Sequence, residues 1–362
     1  MGTGYRISYK QAKGFIQGFE LLLNMPAVRY IHQKKLLYQF LKILSRLAML
    51  IWCRRIIINK PKLLKENGPL LLACNHPNSF LDSVIFDTIF QQNVWNLARG
   101  DSFKNKLIRR IFSALKILPV YRTSEGVEYV SENYKTFEAC ISIFNKKGVV
   151  AIFSEGKCIN EWHLRPLKKG TARLAIKAWE ENIPLKVLPV GINYSSFTRF
   201  GKNVFLNFGD IITVDDVDLK LGEGLRHQSF NDKLRAQLEK LVFEIPKTDR
   251  QLQAAHRVLR TKLEIKPSLL KKILLAIPAA IGYLIHVPLY LPTKYFVWKR
   301  TFKNDHYDSV MIAILLFLYP IYLLTIITLL WFILKCWWVV FLLVLAPFTA
   351  WAYIQLKPQL DK

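Results

Sequence analysis

An α/β architecture is predicted: a mostly parallel central sheet flanked by helices, with an N-terminal interfacial helix and a C-terminal transmembrane hairpin. Three observations predict it. Short apolar runs at 70–74, 149–153 and 186–190 read as buried strands. Between the last two, residues 170–181 space Ala172, Leu174, Ala175, Ala178 and Trp179 as a helix does. Strand, helix, strand implies a parallel core. Near the C-terminus, two long stretches carry almost no charge.

Taken in order, residues 1–66 read as a helical region on a membrane surface. Within it, 36–52 is apolar but interrupted by Gln39, Lys42, Ser45 and Arg46, and bracketed by Lys34, Lys35, Arg54 and Arg55. Those interruptions recur at helical spacing, as in an amphipathic helix lying in the interface. Residues 67–246 form the α/β domain, in which runs of strand and helix alternate. Residues 247–307 are a basic connector whose first part, 247–263, reads as a polar helix. Its apolar segment 273–291 contains Pro278, Gly282, His286 and Pro288, which suits a broken or shallow membrane segment or a buried helix pair.

Residues 308–356 are the hairpin. The stretch 311–334 is free of formal charge and, at about 1.5 Å per residue, reaches roughly 35 Å, enough to cross a bilayer core. Lys335 interrupts it, and 336–356 supplies a second stretch. Trp331, Trp337, Trp338 and Trp351 fall near the ends, where indoles favour the interface. Lys294, Lys299, Arg300 and Lys303 precede the hairpin, which by the positive-inside bias puts both its ends and the rest of the chain in the cytoplasm.

The net charge of +26 asks for a polyanion or an anionic membrane surface as partner. Nucleic acid fits the charge but not the 52% hydrophobic content, and no nucleic-acid-binding motif is present. Basic and apolar together point to a membrane surface. The five cysteines are scattered without a CxxC pair, so neither a disulfide framework nor a zinc site is expected, and no metal is called for. Cys74 and Cys140 read as small core residues. No cleavable signal peptide is read at the N-terminus, and Arg6 stands where a myristoylation site wants Ser or Thr.

Chemistry concentrates where the strand 70–74 breaks into Asn75-His76-Pro77-Asn78-Ser79-Phe80-Leu81-Asp82. A histidine and a carboxylate then lie past a strand's carboxyl end, where open α/β sheets place their sites. A neutral imidazole held by a carboxylate removes a proton from an alcohol near neutral pH. In isolation such a pair is more often a satisfied polar contact, so the other segments decide. Phe153-Ser154-Glu155-Gly156 puts a carboxylate beside a glycine at the end of the next strand. Arg122 follows an apolar piece and suits bidentate phosphate binding. Lys168 and Lys169 precede a helix amino terminus, which attracts anions. Each has a bland reading as a turn or a solvated side chain.

In this order the segments resemble the glycerolipid acyltransferase family, which includes glycerol-3-phosphate and 1-acylglycerol-3-phosphate acyltransferases. His76 and Asp82 match its His…Asp motif and Val120-Tyr121-Arg122 its arginine-bearing motif. Phe153-Ser154-Glu155-Gly156 matches its Phe-Pro-Glu-Gly motif, and Val187-Leu188-Pro189-Val190 its final Val/Ile-Pro-Val motif. Pro166-Leu167-Lys168-Lys169-Gly170 is similar to the Lys-Gly segment after the third motif. The resemblance covers about residues 67–215.

Two departures stand out. The family motif has four residues between His and Asp, and this chain has five, resembling the fungal-type glycerol-3-phosphate/dihydroxyacetone-phosphate acyltransferases and their bacterial relatives. Six positions turn a regular helix by about 600°, leaving the two side chains roughly 120° apart. The pair therefore needs His76 before the helix and Asp82 in its first turn. Ser154 stands where the motif has proline, which keeps Glu155 in place and loosens the turn.

The resemblance implies that His76 takes the proton from an acceptor hydroxyl attacking the thioester of acyl-CoA or acyl-carrier protein, with Asp82 orienting it. It also implies that Arg122, with Lys168 or Lys169, binds the acceptor's phosphate, and that Glu155 and Gly156 serve its hydroxyls. No cofactor is implied beyond the thioester co-substrate. The acceptor the resemblance implies is glycerol-3-phosphate or lysophosphatidate. Ser79 and Ser154 lie outside any Gly-x-Ser-x-Gly elbow. Two alternatives stay open: transfer to a different lyso-lipid, or a catalytically silent membrane protein that binds lipid.

Overall fold

The computed structural model of the protein describes residues 27–103, 105–121, 130–245, 263–302 and 304–360. Its central strand is Leu70–Cys74 (β2), buried along its whole length. β2 pairs in parallel with Val149–Phe153 (β5) on one side and Lys186–Tyr194 (β6) on the other. Beyond β5 lie Val94–Arg99 (β3) and Ile117–Val120 (β4), both parallel. Beyond β6 lies Lys202–Phe208 (β7), the antiparallel member, and then Cys53–Ile58 (β1), parallel to β7. The seven strands run in the order β1-β7-β6-β2-β5-β3-β4.

Unbroken apolar runs such as those of β2 and β5 are what strands covered on both faces require. Successive residues point to opposite sides. Leu70, Leu72 and Cys74 pack with Leu81, Ile85 and Phe86 of Ser79–Ile89 (α2). Leu71 and Ala73 face the other layer, built from Val130–Asn145 (α4), Gly170–Glu180 (α5) and Glu223–Leu241 (α6). Lys106–Ala114 (α3) connects β3 to β4.

The sheet starts earlier than the boundary expected at 67. Ala27–Trp52 (α1) runs directly into β1. Arg54 and Arg55 disguise this strand in the sequence. Arg54 in fact turns its guanidinium to the chain's C-terminal region, with Nη2 2.9 Å from the Ile354 carbonyl. The amphipathic helix expected at 36–52 is present within α1, but its polar residues do not form one exposed face: Gln39 and Arg46 are exposed, whereas Lys42 is buried. Arg46 Nε donates to Thr88 O at 3.0 Å. Phe40, Ile43, Leu47 and Leu50 also face outward.

Leu269–Thr301 (α7), Tyr307–Leu334 (α8) and the segment containing Leu342–Leu356 (α9) are each long and apolar enough to cross a membrane. The hairpin expected at 308–356 corresponds to α8 and α9, turned at Lys335 in a left-handed conformation (φ 49°). The segment 273–291, expected to be broken, is instead one continuous helix through Pro278, Pro288 and Pro292. Proline removes single backbone bonds, and packing against neighbouring apolar helices holds the remainder. Gly282 permits the closest approach: a Cβ there would lie 2.1 Å from the Thr349 carbonyl oxygen of α9.

Both ends of α7, a helix about 50 Å long at 1.5 Å per residue, are tied to the sheet domain. Asn203 Nδ2 donates to Leu263 O at 2.8 Å just before it. At its other end Val297 is fully buried in the core. Length and apolarity therefore do not by themselves make α7 a span. The connector expected at 247–263 lies outside the described residues except for Leu263.

Tyr38 of α1 donates to Asp87 Oδ1 of α2 at 3.0 Å, with Lys42 and Lys116 nearby. Burial outweighs these partners and pushes the Asp87 carboxyl up to about 7. In the unfolded chain this group titrates near its ordinary value of 3.8. Between these two pH values the folded state holds the extra proton, so stability falls as pH rises and levels off above about 7. Asp87→Asn is expected to lose less thermal stability than wild type over that window, measured as melting midpoints in one detergent; parallel curves would show the carboxyl is not protonated in the fold.

Candidate active site

The parallel register of β2 on β5 pairs Cys74 with Phe153, so the loops after both strands leave the sheet at one level. Asn75 prolongs β2 by clasping the backbone of β6. Its Nδ2 donates to Ile192 O at 3.0 Å and its Oδ1 accepts from Ile192 N at 2.7 Å. His76 follows, ahead of α2, and Asp82 sits in the first turn of α2. The arrangement needed by the five-residue spacing is met: His76 Nδ1 lies 2.8 Å from Asp82 Oδ2.

Asp82 is fully buried. The Asn78 backbone N–H donates to its Oδ2 at 2.9 Å, and the Tyr194 hydroxyl donates to its Oδ1 at 2.5 Å. Burial, and then the Asp82 charge, hold the Tyr194 phenol far above its ordinary pKa, so it remains a donor. The His76 ring stacks on Phe153, centroids 4.0 Å apart at 15°. With Nδ1 turned to the carboxylate, Nε2 bonds to none of the described residues, and the side chain is 18% exposed. Such an imidazole presents an Nε2 lone pair that can accept a proton.

Glu155 is also buried, and its oxygens are occupied. They accept from the His76 backbone N–H at 2.9 Å, the Arg165 N–H at 3.0 Å and Arg165 Nη2 at 2.7 Å. The carboxylate thus braces one motif loop against another. Ser154 makes two bonds that a proline could not: its N–H donates to Cys74 O at 2.8 Å, and its hydroxyl accepts from Thr171 Oγ1 at 2.9 Å. Gly156 adopts φ +66°, which favours glycine, and a Cβ there would press on Lys168 Cγ at 3.1 Å. Lys168 and Lys169 are exposed at the start of α5, with the Lys168 N–H bonded to Ser154 O at 2.7 Å. Arg122 lies outside the described residues.

Beside the dyad a largely apolar cavity of 1340 Å³ opens among α1, α2, α7, α8 and α9. Phe80 and Ser83, which flank Asp82 on α2, are in its wall; His76 is not. Sequence reasoning missed Tyr194, Arg165, Asn75 and Asn78. Asn75 and Asn78 belong to the motif and were legible as polar residues at a strand end. Tyr194 and Arg165 reach the site only through the fold.

Residues 55–193 match the family model described as acyltransferase. The chain is 28% identical over 137 residues to glycerol-3-phosphate O-acyltransferase 2 of Saccharomyces cerevisiae, a match covering 37% of this chain. The match spans only 17% of that yeast protein's length. The structure is also similar to that of the 1-acyl-sn-glycerophosphate (LPA) acyltransferase PlsC of Thermotoga maritima, at 13% identity and a TM-score of 0.44, covering 70% of this chain and 91% of that one.

Glu155→Gln should destabilise the fold by about 2–4 kcal/mol, because it strands part of the Arg165 guanidinium and turns an amide N–H toward a donor. Lys168→Ala with Lys169→Ala should change stability by about 0.5 kcal/mol or less, as exposed substitutions do. Melting midpoints of the two variants in one detergent check the contrast, and equal shifts would remove the bracing role.

Proposed function

We propose that this chain, whose residues 55–193 match the acyltransferase family model, is a glycerolipid acyltransferase that moves a fatty acyl group from an acyl thioester to a hydroxyl of glycerol-3-phosphate or lysophosphatidate. The observation that carries the mechanism is the 2.8 Å contact of His76 Nδ1 with the buried Asp82, which leaves Nε2 open. The acceptor hydroxyl gives its proton to Nε2 as its oxygen attacks the thioester carbonyl. Asp82 fixes the imidazole tautomer and stabilises the imidazolium. On collapse of the tetrahedral intermediate the C–S bond breaks, and the imidazolium returns the proton to the departing thiolate. The donor is acyl-CoA or acyl-carrier protein.

Arg122 and the exposed Lys168 and Lys169 supply charge for the acceptor's phosphate. Glu155 acts here by holding the His76 backbone, since its oxygens are already engaged. The apolar cavity bordered by Phe80 and Ser83 offers an acyl chain a route from the membrane side. The basic surface holds the sheet domain on anionic headgroups and draws in an anionic donor. Lys294, Lys299 and Arg300 near the start of α8 favour the cytoplasmic face for that domain.

One observation favours a second reading. Ser79 takes a left-handed φ of 50°, and its Oγ lies 2.8 Å from His306 Nδ1. A serine so placed is the starting geometry for a covalent acyl-enzyme.

His76→Ala is expected to lower acyl transfer by at least ~10³-fold, with membrane association retained. Transfer at the parental rate, assayed on purified protein with a panel of acceptors, would falsify the base assignment. Ser79→Ala is expected to lose less than about tenfold, with sequential rather than ping-pong kinetics. A loss matching that of His76→Ala, together with an acyl-enzyme burst in wild type, would transfer the reading to the double displacement.

A further inference from the structure

We propose that the segment leading into α8, far outside the matched residues 55–193, positions the His76–Asp82 dyad through Asp308. This rests on the reading of His76 as the base. Asp308 stands in the first turn of α8 and is fully buried against the sheet domain. Its Oδ2 accepts from Asn78 Nδ2 at 2.7 Å and forms an ion pair with Lys202, itself fully buried at the start of β7. One residue on, Ser309 Oγ accepts from the Phe80 backbone N–H at 3.0 Å. On the other side Asp305 Oδ1 accepts from Asn160 N–H at 3.0 Å, in the loop that follows Glu155.

Asn78 is the link. As the residue preceding α2, an asparagine ordinarily turns its side chain to cap the helix. Here it makes no side-chain cap. Its Nδ2 goes to Asp308, and its Oδ1 has no partner among the described residues. The bond to Asp308 therefore sets the orientation of Asn78. The backbone N–H of that same residue holds Asp82 Oδ2, the oxygen that faces His76. Two bonds thus connect a membrane-hairpin carboxylate to the imidazole's partner.

Stability alone is a weak reason for the arrangement. A buried ion pair replaced by apolar residues of similar size is often as stable, because desolvating two charges offsets their attraction. Orientation is what the pair supplies, and a misplacement near 1 Å at a reacting group can lower turnover by about 10²-fold. Asp308 is a positioning residue, acting through Asn78 and Asp82.

The test compares two double variants of the full-length chain. Asp308→Leu with Lys202→Met removes the ion pair and the acceptor facing Asn78. Asp308→Asn with Lys202→Met removes the ion pair and keeps an acceptor. The leucine pair is expected to have kcat at least about tenfold below the asparagine pair, with similar acceptor KM and similar melting midpoint. Selective ¹⁵N-histidine labelling supplies a readout that needs no turnover. The downfield imidazole proton resonance that disappears in His76→Ala should persist in the asparagine pair and be lost in the leucine pair.

Equal kcat and an unchanged resonance in both pairs overturn the proposal. So does a kcat loss that merely follows a lower melting midpoint. If the leucine pair does not fold, Asn78→Ala takes its place, which removes the link to Asp308 and keeps the ion pair, with a fall in kcat and a shifted resonance expected and no change in either overturning the idea. A wild type that transfers no acyl group to any acceptor defeats the catalytic reading alone, because the resonance still decides the positioning.

Discussion

The site depends on the Asp82 carboxylate, a full charge with no exposed surface. A buried carboxylate is tolerable only when its oxygens are satisfied. Here the imidazole, a backbone N–H and a phenol meet it from two elements: His76 and Asn78 in the loop between β2 and α2, and Tyr194 at the end of β6. Each donor constrains a piece of chain that packing alone would leave free to shift. The dyad's geometry is therefore a consequence of satisfying one buried charge.

That charge would be useless if the loops carrying its partners wandered. The parallel pairing of β2 with β5 and β6 brings three motif-bearing strand ends together, and side chains then lock the exits. Asn75 clasps β6, Glu155 clasps the His76 backbone, and Arg165 closes over Glu155. The departure of Ser154 from the family's proline fits the same pattern. A proline would stiffen the turn through its ring; the serine holds it by an N–H to Cys74 and a hydroxyl to Thr171.

Much of this was legible because it is local. The runs of β2 and β5, the helical spacing before β6 and the uncharged stretches of the hairpin each declare themselves within a dozen residues. The five-residue spacing of His76 and Asp82 dictated a loop followed by a first helical turn, which is what α2 provides. What was not legible is long-range. β1 hides behind Arg54 and Arg55, and the role of Arg54 becomes clear only once the C-terminal helix lies beside it. Lys42 looked solvated because nothing in its own helix shows that Asp87 waits on α2. The prolines of α7 argued for a break, and the close approach at Gly282 that helps hold the helix involves a residue on α9.

The proposed reaction joins a greasy acyl chain to a charged acceptor, and the structure separates two matching environments. On the α2 side of the dyad the wall of Phe80 and Ser83 opens to an apolar cavity shared with α7, α8 and α9. On the α5 side lie the exposed Lys168 and Lys169 and the open turn at Gly156. Between them the ring of His76 is pressed against Phe153 and presents one nitrogen. In the proposed reaction an acyl chain would come from the cavity and the acceptor's phosphate would be held on the lysine side. Under that proposal membrane attachment would be part of the chemistry, because helices apolar enough to enter a bilayer also line the cavity offered to the acyl chain.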